Sequence, residues 1–225
     1  MITAERKPFD EIYGYINGHN NILVLGCGSC VTVCMAGGEK EVGILASQIK
    51  LAAKEKGDTV TVEEHTIMRQ CDAEFFDEET AKKIEQADAV ISIACGVGVQ
   101  FSVEQFNDKI IYPGLNTSFY GATIQQGIWS ERCAGCGECV IGDFGGVCPI
   151  ARCSKSLLNG PCGGSAKGMC EVDQENIECA WQLIYDRMAK LGRLDDLTKN
   201  RPLKDWSTGR DGGPRKIVRE DLLID

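Results

Sequence analysis

The sequence predicts an α/β protein built from three parts in chain order. Short apolar runs alternate with helical patterns in the first half of the chain, which is typical of parallel βαβ units. Eight of the 13 cysteines then lie between residues 133 and 179, in a glycine-rich stretch with few apolar runs. The last residues have little capacity for a core of their own. We therefore expect an α/β domain at 1–126, a cysteine-rich domain at 127–194 and an extended arm at 195–225, suited to docking on a partner or to disorder.

Strands and helices can be assigned in order along the first part. Apolar or alternating runs predict strands at 21–27, 59–66, 89–95 and 109–116. Apolar residues at helical spacing predict helices at 38–57, 78–87 and 99–107. The strand segments are nearly continuous in Val and Ile, which fits strands covered on both faces. The fold expected here is therefore a doubly wound parallel sheet of the Rossmann or flavodoxin-like kind.

Four cysteines of this domain are expected at one edge of the sheet. Cys27 ends the first predicted strand, Cys95 ends the third, and Cys30 and Cys34 follow Cys27 closely. Ligands of such sheets collect at the carboxyl ends of the strands. We expect these four thiols to bind an iron–sulfur cluster or another metal, with Cys71 as a reserve ligand.

The same segment leaves two other interpretations open. Residues 26–31 (GCGSCV) partly match a G-x-G-x-x-G dinucleotide turn, but Val31 stands where the last glycine is required. Cys27 and Cys30 also form a C-x2-C pair after a strand, as in thioredoxin-like redox sites. The third thiol at Cys34 argues against that pair acting alone.

Composition and charge exclude several classes of function. The formal net charge of −9 argues against nucleic acid as a partner. The chain has no apolar run of membrane-spanning length and no signal-peptide pattern at its start, so we expect a cytoplasmic protein. Cysteines in that compartment seldom form disulfides, which leaves metal ligation or buried free thiols. The sequence contains no P-loop, H-E-x-x-H motif or Ser-His-Asp arrangement, so no catalytic residue is expected.

Residues 133–149 (CAGCGECVIGDFGGVCP) contain the most informative motif. Three cysteines stand at C-x2-C-x2-C, and a fourth follows after eight intervening residues with a proline directly behind it. Ferredoxin segments that hold [4Fe–4S] clusters share this core and the closing Cys-Pro. Zinc also accepts four thiolates, but zinc ribbons usually show two separated C-x2-C pairs. We therefore expect iron–sulfur clusters here, with zinc open for at least one site.

Eight thiols suffice for two four-thiolate centres. One partition assigns the first centre to Cys133, Cys136, Cys139 and Cys179. The second centre would then be held by Cys148, Cys153, Cys162 and Cys170. Exchanging Cys148 and Cys179 is equally possible, because ligands of paired clusters often interleave.

The final third also contains a predicted helix and a local reversal of charge. Residues 175–191 show helical periodicity, and Cys179 is expected on that helix. Residues 199–220 contain seven basic and three acidic side chains, a sum of +4, whereas the whole chain is at −9. The basic arm is therefore the segment best suited to contact an acidic partner.

The quoted cysteine motif and its surroundings resemble a known family. Residues 133–164 end in LLNGPCGG and are followed by GMCEV and ECAWQLIYDRM. Together they resemble the cysteine-rich small subunit of methylenetetrahydrofolate reductase from acetogenic bacteria. The segment GCGSCVTVCMAGGEKEV at 26–42 is similar to the N-terminal part of the same subunit.

This resemblance implies a role in the one-carbon metabolism of the Wood–Ljungdahl pathway. The expected partner is a flavin-containing catalytic subunit that reduces methylenetetrahydrofolate to methyltetrahydrofolate. The cysteine-rich subunit would pass electrons through [4Fe–4S] clusters to that flavin, from ferredoxin or another donor protein. The alternatives are a non-redox zinc scaffold for the flavoprotein and an independent α/β enzyme acting on a nucleotide.

Overall fold

The computed structural model describes residues 1–223. The chain divides into two compact units, Met1–Ser130 and a second unit from Glu131 onward. Among the described residues, no helix has both the length and the apolar character needed to cross a membrane.

The first unit alternates strands and helices. Its strands are β1 (Ile2–Arg6), β2 (Asn21–Cys27), β3 (Thr61–Ile67), β4 (Ala89–Ile93), β5 (Ile111–Pro113), β6 (Leu115–Gln125) and β7 (Ile128–Cys133), the last ending just inside the second unit. Its helices are α1 (Phe9–Tyr15), α2 (Cys30–Val33), α3 (Glu39–Lys56), α4 (Glu78–Gln86) and α5 (Gly96–Gln105). These bounds confirm the predicted strands that begin at 21, 59 and 89 and the three predicted helices, to within a few residues.

The predicted parallel sheet is confirmed. Its strand order is β3-β2-β4-β5, and all neighbouring pairs run parallel. The chain therefore steps outward from β2 to β3 and then returns to the other side of β2 for β4. The strand order reverses between β2 and β4, and such a switch point is where ligands of open α/β sheets bind.

Helices cover both faces of this sheet. In β2, Ile22 and Val24 pack into one apolar cluster with Leu45 and Ile49 of α3. Leu23 and Leu25 belong to a different cluster, which contains Ile84 of α4. Each of these side chains is almost fully buried and contributes about 1.5–3 kcal/mol to folding. The alternation of successive residues between two cores explains why the strand is apolar throughout.

Local chemistry explains the limits of α3. The carboxylate of Glu41 accepts a hydrogen bond from the backbone N–H of Gly38 at 2.9 Å, which satisfies a donor at the helix start. At the other end, Gly57 adopts a left-handed conformation with φ of 77°. A residue without Cβ takes this conformation at low cost, so the helix ends at the predicted glycine.

A second sheet in this unit was not predicted. β1, β6 and β7 form a three-stranded sheet in which β1 and β6 are antiparallel. The predicted strand at 109–116 is in fact short β5 followed by the start of β6. Gly114 separates the two strands, and its backbone N–H donates to the carbonyl oxygen of Ser92 at 2.7 Å. A side chain at Gly114 would collide with Ile93, so the chain leaves the parallel sheet where glycine permits it.

The second unit has little regular structure and a small core. Its strands and helices are β8 (Met169–Cys170), β9 (Asp173–Glu178), α6 (Pro149–Arg152) and α7 (Ala180–Lys190). Phe144 packs edge-on against Trp181 of α7 with ring centroids 5.4 Å apart, and Ile184 and Met188 are fully buried beside them. The predicted helix at 175–191 begins only at Ala180, because the preceding residues pair as β9.

Candidate metal centres

All 13 cysteines are free thiols in the structure. Within residues 1–223, no three Cys, His, Asp or Glu side chains stand at distances that would hold a metal ion. The described thiols therefore do not form a closed ligand set. Whether these thiols suit a metal is therefore judged from the strands, helices and loops that position them and from the polar groups around them.

Two cysteines of the first unit lie at the switch point of the parallel sheet. Cys27 is the last residue of β2, and Cys95 follows the adjacent strand β4 as the residue that precedes α5. Both are buried. Parallel neighbours bring their carboxyl ends to the same edge, so both residues lie at the edge where the sequence predicts a metal site, which stays a prediction.

Gln70 connects the loop after β3 to the same edge. Its side chain is fully buried, and its Nε2 donates to the carbonyl oxygens of Leu25 and Gly26, each at 3.0 Å. Its Oε1 accepts a hydrogen bond from Ser92 Oγ of β4 at 2.6 Å. One side chain thus joins β2, β4 and the loop that carries Cys71. Sequence reasoning missed Gln70, because a single glutamine in a polar loop carries no periodic signal.

Cys71 consequently lies near both edge cysteines. Burial raises the pKa of the Cys71 thiol, and the charges of Cys95 and Cys27 raise it further. The sequence had kept Cys71 only as a reserve.

Cys34 lies in a different environment from the edge cysteines. It is buried, and its Sγ contacts the carbonyl oxygens of Ala4 and Val31, each at 3.6 Å. Burial is the main cause that raises the pKa of its thiol, and the charge of nearby Cys30 adds to the effect. Cys34 also lines a cavity of about 490 Å³ beside β1 and β7, together with Trp129. Thus Cys34 lies directly after α2 with its sulfur beside β1, whereas Cys27 lies at the carboxyl end of β2.

The C-x2-C-x2-C loop of the second unit is shaped by glycines. Gly135 and Gly137 have φ of 61° and 83°, a region that favours glycine. The backbone N–H of Gly135 donates to Cys133 Sγ at 3.4 Å. Backbone donors to sulfur stabilise thiolate charge and are typical around cluster ligands. These features fit the predicted thiolate site.

Residues 204–215, here called the strap, contact this loop. Thr208 Oγ1 donates to the carbonyl oxygen of Cys136 at 2.9 Å, and Arg215 Nη1 donates to that of Gly135 at 3.0 Å. The Lys204 side chain is almost fully buried, and its ammonium pairs with Glu138 at 3.2 Å. A side chain at Gly137 would overlap the carbonyl group of Thr208. Part of the predicted arm is therefore bound within its own unit, a contact that no sequence pattern indicated.

Other cysteines of this unit stand at helix starts and strand ends. Cys148 directly precedes α6, and its Sγ accepts the Ala151 N–H at 3.4 Å. Cys179 directly precedes α7 and is buried, whereas the sequence had placed it on the helix. The hydroxyl of Ser154 lies 3.4 Å from Cys170 Sγ and is the main cause that lowers the pKa of that thiol. N–H groups at helix starts and nearby hydroxyls favour thiolates.

The eight thiols of this unit differ in exposure. Four of them pack against the core around Phe144 and Trp181, namely Cys136, Cys148, Cys153 and Cys179. Exposed thiols are Cys133, Cys139 and Cys162. The donor set is soft sulfur with local backbone donors, which suits iron–sulfur clusters or zinc. Which thiols share a centre stays a prediction.

Comparison with known proteins gives one match. Residues 112–207 match the family model described as methylene-tetrahydrofolate reductase C terminal. The matched segment is less than half of the chain, but it contains the eight cysteines between 133 and 179 and the first part of the strap. No curated protein matches the chain. No solved structure matches it either.

Proposed function

We propose that this chain is the electron-transfer subunit of a methylenetetrahydrofolate reductase complex of the kind found in acetogenic bacteria. In this role the chain passes electrons, through two [4Fe–4S] clusters, to the flavin of a partner catalytic subunit. That subunit reduces methylenetetrahydrofolate to methyltetrahydrofolate. The chain itself is a non-catalytic component of an oxidoreductase.

The observation that carries this proposal is the position of the family match. The matched residues 112–207 include the C-x2-C-x2-C loop and every later cysteine. The similarity therefore coincides with the densest group of thiols in the chain, which supports a reductase-related role that uses metal-bound sulfur.

The residues around the thiols have roles that suit such a carrier. A bound [4Fe–4S] cluster would supply one-electron transfer, and a flavin can collect two electrons for one reduction. Gly135 holds the loop in a conformation that directs an N–H toward Cys133 Sγ. Arg215 and Lys204 place positive charge beside the loop and would offset the negative charge of a cluster with four thiolates.

The end of the described chain suits docking on the partner. Residues 216–223 follow the strap and present exposed apolar side chains, namely Ile217, Val218, Leu222 and Leu223. Exposed apolar residues close together in the sequence favour a protein interface. We propose that this segment contacts the flavin-containing subunit in the cytoplasm. The basic side chains of the arm would suit an acidic donor protein such as ferredoxin.

Metal analysis and electron transfer test the proposal together. The full chain is purified anaerobically with the flavoprotein that accompanies it, and iron, acid-labile sulfide and zinc are counted per chain. We expect about eight irons from two clusters in residues 133–179. The double variant Cys133→Ala/Cys136→Ala should lose part of this iron and slow reduction of the partner flavin at least tenfold.

A matched control is Leu51→Ala, at an exposed residue of the first unit, which should leave both readouts unchanged. Stoichiometric zinc without iron would refute electron transfer and support the zinc scaffold instead. Unchanged flavin reduction in the double variant would show that electrons take another route, even if iron is present.

A further inference from the structure

We infer that Cys27, Cys30, Cys71 and Cys95 form a four-thiolate metal site at the carboxyl edge of the parallel sheet, with Cys71 in the place that the sequence assigned to Cys34. The site belongs to the first unit, outside the family match. The inference takes from the proposed function only the premise that thiolates of this chain bind metal.

The sheet topology supplies the first two ligands. Cys27 ends β2, and Cys95 lies two residues beyond the end of β4. These strands are parallel neighbours, with Gly26 paired to Ile93. The order of strands reverses between them, and this is the position where ligands of open α/β sheets bind.

Two sets of hydrogen bonds bring the loop after β3 to this edge. Ser29 Oγ donates to the carbonyl oxygen of Met68 at 2.9 Å, and the backbone N–H of Gly28 donates to Ile67 at 2.8 Å. Gln70 then binds the ends of β2 and β4 from within the core. The backbone just before Cys71 and the backbone next to Cys30 are therefore fixed at the same edge.

Helix α5 approaches this loop closely enough to complete the site. Gly98 in its first turn has the Cβ of Gln70 within 3.0 Å of where its own Cβ would stand. Only a residue without a side chain allows this approach. Cys95 directly precedes this helix, so the same close approach brings the loop that carries Cys71 toward Cys95.

Cys34 is unsuited to the same centre. Its Sγ contacts backbone carbonyl oxygens of Ala4 and Val31, and it lines the cavity beside β1 and β7. Cys27 Sγ instead lies 3.9 Å from the carbonyl oxygen of Met68, in the loop that leads to Cys71. Cys71 is exposed and follows Gln70, which binds the ends of β2 and β4, so its side chain can close on a metal without disrupting packing.

Paired variants of the full chain test the assignment. Wild type, Cys71→Ala and Cys34→Ala are purified anaerobically, and iron, sulfide and zinc are counted per chain. Cys71→Ala should lose one centre, about four irons or about one zinc, whereas Cys34→Ala should keep it. Cys34 is buried and Cys71 is exposed, so damage to the fold alone would produce the opposite order. Cys30→Ala should lose the same centre as Cys71→Ala.

Other results would overturn the inference. If Cys34→Ala loses metal while Cys71→Ala retains it, the ligands are Cys27, Cys30, Cys34 and Cys95, as expected from the sequence. If both variants retain all metal, this edge binds none. The test also separates this inference from the proposed function. If the second unit binds no metal, the proposed function fails, but wild type still contains the single centre of the first unit. Cys71→Ala would then remove all metal from the chain.

Discussion

At the scale of single residues, Gln70 organises the carboxyl edge of the parallel sheet. Its amide donates to two carbonyl oxygens of β2 and accepts a hydrogen bond from the hydroxyl of Ser92 in β4, so it satisfies polar groups of two neighbouring strands inside the core. The pattern of the sequence gives the strands, but it does not show which side chain joins their ends.

We predict that Gln70→Leu lowers the free energy of unfolding by about 2 kcal/mol, because it keeps the volume but leaves buried polar groups without partners. Urea denaturation followed by circular dichroism measures this change. Gln100→Leu is the matched control, since Gln100 is exposed and its Nε2 donates only to Gly96 in its own helix. Equal effects of the two variants would contradict the role of Gln70.

At the scale of elements, the strap binds the cysteine loop, which lies far from it in the sequence. Arg215 donates both to Gly135 of the cysteine loop and to Thr208 of the strap, the latter at 2.7 Å. The strap thereby fixes the backbone from which the loop presents its sulfur atoms.

We predict that Arg215→Met releases metal from the second unit faster. Loss of these hydrogen bonds from an exposed arginine costs about 1 kcal/mol, or roughly a fivefold effect. Iron release to a chelator, followed by absorbance, measures the rate. Arg219→Met is the control, because Arg219 pairs only locally with exposed Asp221 among the contacts that the structure describes. A variant with the wild-type release rate would show that the strap does not stabilise the loop.

At the scale of the whole molecule, the two units depend on different sources of stability. The first unit buries large apolar clusters on both faces of its sheet. The second unit gathers a much smaller buried cluster around Trp181, to which four cysteines contribute. In a unit with so little apolar burial, a bound metal would supply a large part of the folding free energy.

We predict that metal removal unfolds the second unit selectively. After chelation under reducing conditions, limited trypsin digestion should cleave within residues 131–223 at doses that leave 1–130 intact. Mass spectrometry identifies the fragments, and the metal-loaded protein is the control. Equal resistance of the second unit with and without metal would mean that its apolar core is sufficient.

The pattern of apolar residues in the sequence was sufficient to predict the parallel sheet. Continuous apolar runs such as the one ending at Cys27 reflect burial on two faces, and this local pattern predicts strands directly. The antiparallel sheet escaped prediction because β1 pairs with β6, and Ile2 meets Tyr120 across most of the first unit. β6 is long but mostly exposed, so it lacks the continuous apolar run that marks the parallel strands.

The sequence by itself determined the α/β class, the edge position of Cys27 and Cys95, and the cysteine spacing on which the metal interpretation depends. These features follow from local patterns of apolar residues and thiols. Only the tertiary structure decided that Cys71 lies beside the edge cysteines while Cys34 turns toward β1, and that the strap binds the cysteine loop. The reason is physical: those placements depend on hydrogen bonds and packing between residues distant in the chain, which no short-range pattern encodes.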